Sequence, residues 1–191
     1  LPFVSTHFEA YQKESRVELI AICDTNAELV KNVAAQSGLR GYTDAAELFE
    51  KETPEIVSIC TPDATHTALL DLAISTPSIR GIWCEKPITL SLTEARAAVA
   101  ACAQKDIVLA VNFVRRHDPF YQIVKAKLSE LIGPIQTVTV YYSGGLVTVG
   151  SHVADLLDFL FGDASQVRAL QNKIGFAAQV EYENFTVNLV P

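Results

Sequence analysis

The chain has 191 residues, of which 49% are hydrophobic and 19% charged, with a formal net charge of −7 and a mean hydropathy of +0.22. Nine Gly and eight Pro exclude a low-complexity or collagen-like chain, and the apolar content is enough to bury a core in one large domain or two small ones. No apolar run approaches the ~20 residues that cross a bilayer. No cationic cluster goes beyond Arg115-Arg116, which argues against a nucleic-acid partner or an anionic membrane surface.

Taken in order, residues 7–15 read as a helix and Val17 to Cys23 as a buried strand. Asp24-Thr25-Asn26 stops the strand, and Ala27 to Ser37 follows as a helix closed by Gly38. Asp44 to Phe49 is a short helix capped by Thr43 or Asp44. Glu55 to Cys60 and Gly81 to Cys84 are apolar strands flanking a helical pattern from Thr65 to Ile74. Ser91-Leu92-Thr93-Glu94 is a capping-box pattern, opening an Ala-rich helix through Lys105, and Ile107 to Asn112 is another strand. Repeated strand–helix units with near-continuously apolar strands imply a parallel sheet covered on both faces.

Beyond Asn112 the pattern changes. Asp118 caps a helix from Pro119 to Ile132, stopped by Gly133-Pro134. Ile135 to Tyr142 alternates like a half-exposed antiparallel strand. His152 to Phe161 is a short apolar helix, and Val167 to Leu170 and Val180 to Leu189 read as strands. The expected organisation is therefore an α/β Rossmann-like parallel sheet over residues 1–115, then an α+β region with a mainly antiparallel sheet over 116–191.

The four cysteines, Cys23, Cys60, Cys84 and Cys102, form no CxxC pair, so no zinc site is expected. Three of them end apolar runs and read as small buried hydrophobes of a reducing cytoplasm. Residues 1–7 carry no basic leader. The absence of Met leads us to expect an internal piece of a longer protein.

Parallel α/β sheets bind ligands at the carboxyl ends of their strands, which directs attention to Asp24, Thr61-Pro62, Glu85-Lys86-Pro87 and Asn112. An acid at Asp24 suits the ribose hydroxyls of a dinucleotide and repels a 2′-phosphate; a helix N-cap is the alternative. Thr61-Pro62 precedes a helix N-terminus with free N–H groups. His66, on that helix's first turn, reads either as a ligand contact or as a surface residue. Lys86, pushed away from helical geometry by Pro87, reads as a donor to a substrate hydroxyl or as a solvated loop lysine. His152 and Asp155, at i and i+3 on one helix, read as a base with its supporting carboxylate, or as a helix-terminal His with a dipole-compensating Asp.

Together these elements resemble one family. They are residues 17–24 (VELIAICD), Thr61-Pro62 with His66, Cys84-Glu85-Lys86-Pro87, residues 112–116 (NFVRR), and Gly150-Ser151-His152 with Asp155. The chain is similar to the Gfo/Idh/MocA oxidoreductases, the glucose–fructose oxidoreductase and inositol dehydrogenase-like group. The resemblance implies hydride transfer between NAD, in preference to NADP, and a secondary alcohol of a sugar, cyclitol or nucleotide-sugar. It implies that Asp24 binds the adenosine ribose, that Thr61, Pro62 and His66 line the cofactor, and that Glu85 and Asn112 frame the nicotinamide. Lys86 would bind the reacting hydroxyl and His152 would accept its proton. Asp155 would support the site or contact substrate, and Arg115 would touch cofactor or substrate. No metal, nucleic acid or membrane is implied; a cytoplasmic homo-oligomer is. A non-catalytic dinucleotide- or sugar-binding regulatory member and an NAD-assisted glycoside-cleaving member are the alternatives. Several features depart from the pattern. Thr148 stands where many members have Asp, and the stretch from Tyr141 to Gly150 is short. The first strand with its Gly-rich turn is missing, so a gap is expected between the strands ending at Cys23 and Cys60, and residues 116–191 are expected to be only the start of a substrate and oligomerisation domain.

Overall fold

The computed structural model describes residues 6–171 and 175–191; the leader reading for residues 1–5 lies outside them. The chain divides into two compact units, Leu1–Asn112 and Phe113–Pro191.

In the first unit, helix α1 (His7–Lys13) is followed by β1 (Ala21–Cys23), α2 (Ala27–Ser37), β2 (Arg40–Tyr42), α3 (Ala45–Glu52), β3 (Ile56–Ile59), α4 (His66–Ser75), β4 (Gly81–Cys84), α5 (Leu92–Gln104) and β5 (Val108–Val111). A 3-10 turn, Asp63–Thr65, leads into α4. The caps explain most boundaries. Asn26 accepts from the Leu29 N–H and starts α2, and Gly38 ends it at φ 74°, where a side chain would be strained. Asp44 caps α3 through the Glu47 N–H. Ser91 caps α5 through the Glu94 N–H at 3.5 Å. The other half of that capping box is not made, because the Glu94 carboxylate accepts from the Thr67 hydroxyl and the Ser91 N–H goes to Thr89 Oγ1.

β1 pairs in parallel with β2, and β3-β4-β5 form a second parallel ladder. Among the described residues no strand joins β1 to β3, which is the expected gap. β2 was not read from the sequence; it has three residues and a glycine at its centre. That glycine, Gly41, lets α2 lie close, since a Cβ there would come 2.5 Å from Val30 Cγ1. The core gathers Leu48, Phe49, Ile59, Leu70, Ile74, Ile82, Cys84 and Cys102 from the facing helices and strands. A fully buried side chain such as Leu70 contributes about 1.5–3 kcal/mol.

The second unit holds α6 (Pro119–Ile132), β6 (Thr137–Tyr141), α7 (Ser151–Phe161), β7 (Gln166–Leu170), β8 (Ala177–Glu181) and β9 (Thr186–Val190). A 3-10 turn, Val114–His117, precedes α6, and a single π-turn, Leu146–Gly150, runs into α7. The sheet order is β6-β9-β8-β7. β7-β8 and β8-β9 are antiparallel, but β6 pairs with β9 in parallel, so the antiparallel expectation for β6 is corrected. Its alternation is real, but alternation reports one solvated face and is blind to strand direction. The single strand read from Val180 to Leu189 is two strands of a hairpin turning at 182–185, where the Tyr182 N–H bonds the Phe185 carbonyl at 3.0 Å. The core of this unit is Tyr142, Leu157, Ala178, Val180, Val187 and Leu189.

Candidate functional site

In the first unit the residues singled out from the sequence fall at the carboxyl ends of β1, β3, β4 and β5. Asp24 is exposed, and its Oδ1 accepts from the Asn26 N–H at 2.8 Å in a local turn. The N-cap of α2 is Asn26, so the helix-cap alternative for Asp24 falls away. Thr61 and Pro62 are exposed on the turn after β3. That turn is tied by Thr65 Oγ1, which reaches both Thr61 Oγ1 and the Pro62 carbonyl at 2.7 Å.

His66 is 0% exposed. Its Nδ1 lies 2.7 Å from the Pro87 carbonyl and its Nε2 lies 2.9 Å from the Thr61 carbonyl. Both nitrogens therefore face backbone acceptors, one on each of the turns that follow β3 and β4. Both earlier readings, cofactor contact and surface residue, are corrected. The imidazole is a buried brace beneath the two turns, with no side-chain surface left to offer a ligand.

Glu85, Lys86 and Pro87 form the turn after β4, with a cis Lys86–Pro87 peptide. Glu85 Oε1 accepts from His7 Nε2 at 2.8 Å and from Asn112 Nδ2 at 2.6 Å, and Oε2 accepts from the Lys86 N–H at 3.3 Å. Partial burial works against the carboxylate. The bonds from Asn112, His7 and the Lys86 N–H outweigh it and hold Glu85 below the usual carboxyl range. Asn112 is fixed from the other side, its N–H bonding the Cys84 carbonyl at 2.8 Å. The Lys86 side chain is half-buried, and its ammonium makes no hydrogen bond or ion pair with any described residue. The cation is thus available at the rim of the sheet.

In the second unit His152 lies on the first turn of α7, its ring edge-on to Phe113 at 6.0 Å. The Asp155 carboxylate, one turn on, is engaged by Arg116: Nε lies 2.6 Å from Oδ1. The Arg116 Nη2 also reaches Asp158 Oδ2 at 2.5 Å, and the guanidinium stands 5.7 Å from the centroid of the Phe159 ring. Asp155 is thus held by an arginine the sequence reading did not assign. Arg115, its neighbour, is half-buried. Thr148 is exposed, and its hydroxyl donates to the Gly145 carbonyl at 3.2 Å within the π-turn.

Three other residues also escaped the sequence reading, His7, Tyr11 and Ser58. Each sits in an element judged purely structural, and the pairing of α1 with the end of β4 spans 78 positions. Among the described residues no group of three or more His, Cys, Asp and Glu is arranged to hold a metal, and no helix is long and apolar enough to cross a membrane.

The profile of the GFO_IDH_MocA family, described as an oxidoreductase family with an NAD-binding Rossmann fold, matches residues 3–113. The chain belongs to this family. Curated relatives of this Gfo/Idh/MocA chain include D-apiose dehydrogenase of Paraburkholderia graminis, 29% identical over 194 residues, covering 92% of this chain and 51% of the relative. A second is scyllo-inositol 2-dehydrogenase (NAD(+)) of Bacillus subtilis, 29% identical over 143 residues, covering 73% of this chain and 40% of the relative. Among solved structures, an oxidoreductase of Agrobacterium radiobacter in complex with NAD+, L-tartaric acid and magnesium superposes with a TM-score of 0.78 at 26% identity. That match covers 95% of this chain and 61% of the other. The chain thus spans about half the length of the curated relatives it matches.

Proposed function

We propose that the protein carrying this chain transfers hydride between NAD and a secondary alcohol of a sugar, cyclitol or nucleotide-sugar. The observation that carries the reading is the Lys86 ammonium, half-buried and without a partner among the described residues, next to a carboxylate already satisfied by His7 and Asn112. A cation left unpaired at the end of a buried strand suits a substrate oxygen that gains negative charge. Relatives named for oxidation of a sugar and of a cyclitol support the substrate class.

The donor set suits a dinucleotide at both ends. Asp24 would accept from the adenosine ribose hydroxyls, Thr61 and Pro62 would line the path beside the start of α4, and Glu85 and Asn112 would frame the nicotinamide end. No strand-to-helix glycine turn occurs among the described residues of this unit to cradle the pyrophosphate. The bound cofactor supplies the hydride acceptor. Lys86 donates to the substrate hydroxyl and stabilises the developing alkoxide, and His152 takes the proton. Asp155, neutralised by Arg116, keeps the His152 turn of α7 in place; Arg115 is left as a contact to cofactor or substrate. We read the whole protein as a cytoplasmic homo-oligomer.

The test is steady-state turnover, in the protein extended to its relatives' length, over a panel of sugars, inositols and nucleotide-sugars with NAD and NADP in parallel. NAD should be preferred, and Asp24→Ala should narrow the preference tenfold or more. Bonds to an ionised acceptor are worth about 1.5–3 kcal/mol each, and about 1.4 kcal/mol is tenfold. A preference that Asp24→Ala leaves unchanged contradicts the ribose assignment.

A further inference from the structure

Glu85 is the end of a longer chain of hydrogen bonds that starts on α1. The Tyr11 hydroxyl lies 2.6 Å from Ser58 Oγ, and Ser58 Oγ lies 3.1 Å from His7 Nδ1. His7 Nε2 and Asn112 Nδ2 both direct hydrogens at Glu85 Oε1. With the proton on Nε2 and Nδ1 accepting, the relay runs in one direction, and Asn112 Nδ2, 3.2 Å from Nε2, gives its hydrogen to Glu85 Oε1. Tyr11 donates to Ser58, Ser58 donates to Nδ1, and Nε2–H donates to the carboxylate. The ring is wedged in place, edge-on to Trp83 at 5.4 Å, with Tyr11 against the same indole at 6.3 Å. The His7 side chain is 19% exposed and that of Glu85 30%, so the pair is shielded without being sealed. The remaining Glu85 oxygen accepts the Lys86 N–H.

The geometry points to His7 as a positioning residue: the relay Tyr11–Ser58–His7–Glu85 fixes the carboxylate that holds the Lys86 backbone, and so sets the turn that presents the Lys86 ammonium. It rests on the role proposed for Lys86. Asn112 shares the same oxygen but follows β5 directly, and its N–H bond to the Cys84 carbonyl already fixes it. His7 comes from α1 and is the group that ties this helix to the turn. The energetic logic is that of a charge-assisted bond, short and directional, whose loss leaves Glu85 with one firm donor in place of two.

The experiment uses the 191-residue chain with His7→Ala and His7→Gln, reading hydrogen exchange at the Lys86 amide and fluorescence of Trp83, the only tryptophan. A net hydrogen bond of about 0.5–1.5 kcal/mol corresponds to roughly two- to tenfold in local protection. Lys86 amide exchange should accelerate by that factor in His7→Ala. It should return to within about twofold of wild type in His7→Gln, whose amide can donate at the Nε2 position. Trp83 emission should change in both, since both lose the imidazole. Unchanged Lys86 exchange in His7→Ala, or equal exchange in the two variants, overturns the inference. If His7→Ala does not fold, Ser58→Ala removes the donor to Nδ1 together with the acceptor of the Tyr11 hydroxyl and must move Lys86 exchange in the same direction; no movement overturns the inference equally. The readout involves no substrate. Loosening of the Lys86 amide, together with turnover that survives Lys86→Ala, would retain the relay and reject the catalytic reading.

Discussion

Replacing Arg116 with Met should destabilise the second unit by about 2.5–3.5 kcal/mol. The reasoning starts from exposure. The Asp155 side chain is 9% exposed and that of Arg116 35%, whereas Asp158 is 52% exposed. Breaking a fully buried pair by removing one partner costs about 3–5 kcal/mol, because the other charge is left uncompensated. Water and salt reach the guanidinium, so the Asp155 contribution is discounted to about 2 kcal/mol. The Asp158 pair adds about 0–1 kcal/mol, and the arginine over Phe159 about 0.5 kcal/mol. Asp155→Asn should cost less than Arg116→Met, since it leaves a partly solvated arginine that still pairs with Asp158. Asp158→Asn should stay within about 0.5 kcal/mol. The double change Arg116→Met with Asp155→Leu should recover much of the loss, since it removes the orphaned carboxylate. The assay is urea unfolding followed by far-UV circular dichroism, with the slope checked for constancy. An Arg116→Met cost below about 0.5 kcal/mol, or one equal to that of Asp158→Asn, would refute the assignment of Asp155 as the buried partner.

Two further outcomes follow from the ionisable groups of the first unit. Glu85 is held below the usual carboxyl range, so its contribution to stability is fully present above the ordinary glutamate value and is lost as pH falls through the folded one. The gap in urea midpoint between wild type and Glu85→Gln should be widest above about pH 5 and shrink on acidification; a gap independent of pH contradicts this. Burial pushes the Cys84 thiol up to about 12, and burial followed by the Glu85 carboxylate pushes Cys60 up to about 11. At pH 8 Cys60 should alkylate about a hundredfold more slowly than free cysteine although much of the residue is exposed, and Cys84 should react only on unfolding. Peptide-level mass spectrometry after brief labelling reads both, and labelling of Cys60 at the free-cysteine rate refutes the shift.

The helices with local punctuation were the most legible elements. Asn26 and Gly38 bound α2, and Asp118 and Gly133 bound α6, because caps and left-handed turns are set by residues within a few positions of each other. The strand ends bearing Asp24, Lys86 and Asn112 were legible for the same reason. What escaped reading depends on pairing at a distance. The direction of β6 is set by β9, about fifty residues later. The hairpin between β8 and β9 hides in a stretch where Tyr182 and Phe185 continue the apolar pattern and stack at 4.8 Å across the turn. The burial of His66 depends on two carbonyls, one of them 21 positions away. Two cysteines departed from the expectation of burial, Cys23 and Cys60 being exposed while Cys84 and Cys102 are buried; an apolar run ending in cysteine does not say how far the next turn covers it. Arg116 was passed over because adjacent arginines are equivalent in sequence, and only the contact to α7 separates them.

The central claim is that Lys86 and His152 carry hydride transfer and do not merely hold ligand. It is tested most directly by NADH formation at 340 nm in the protein extended to its relatives' length, with Lys86→Ala and His152→Ala assayed beside wild type and NAD affinity measured separately by calorimetry. Removal of a general base costs about 10²–10⁴-fold in rate, and removal of a charged donor to a forming alkoxide about 10²–10³-fold. Both substitutions should therefore suppress kcat by at least about a hundredfold. They should leave NAD affinity within a few-fold of wild type and combine less than additively. Wild-type turnover surviving both changes, or tight NAD binding with no turnover on any polyol of the panel, would contradict the account.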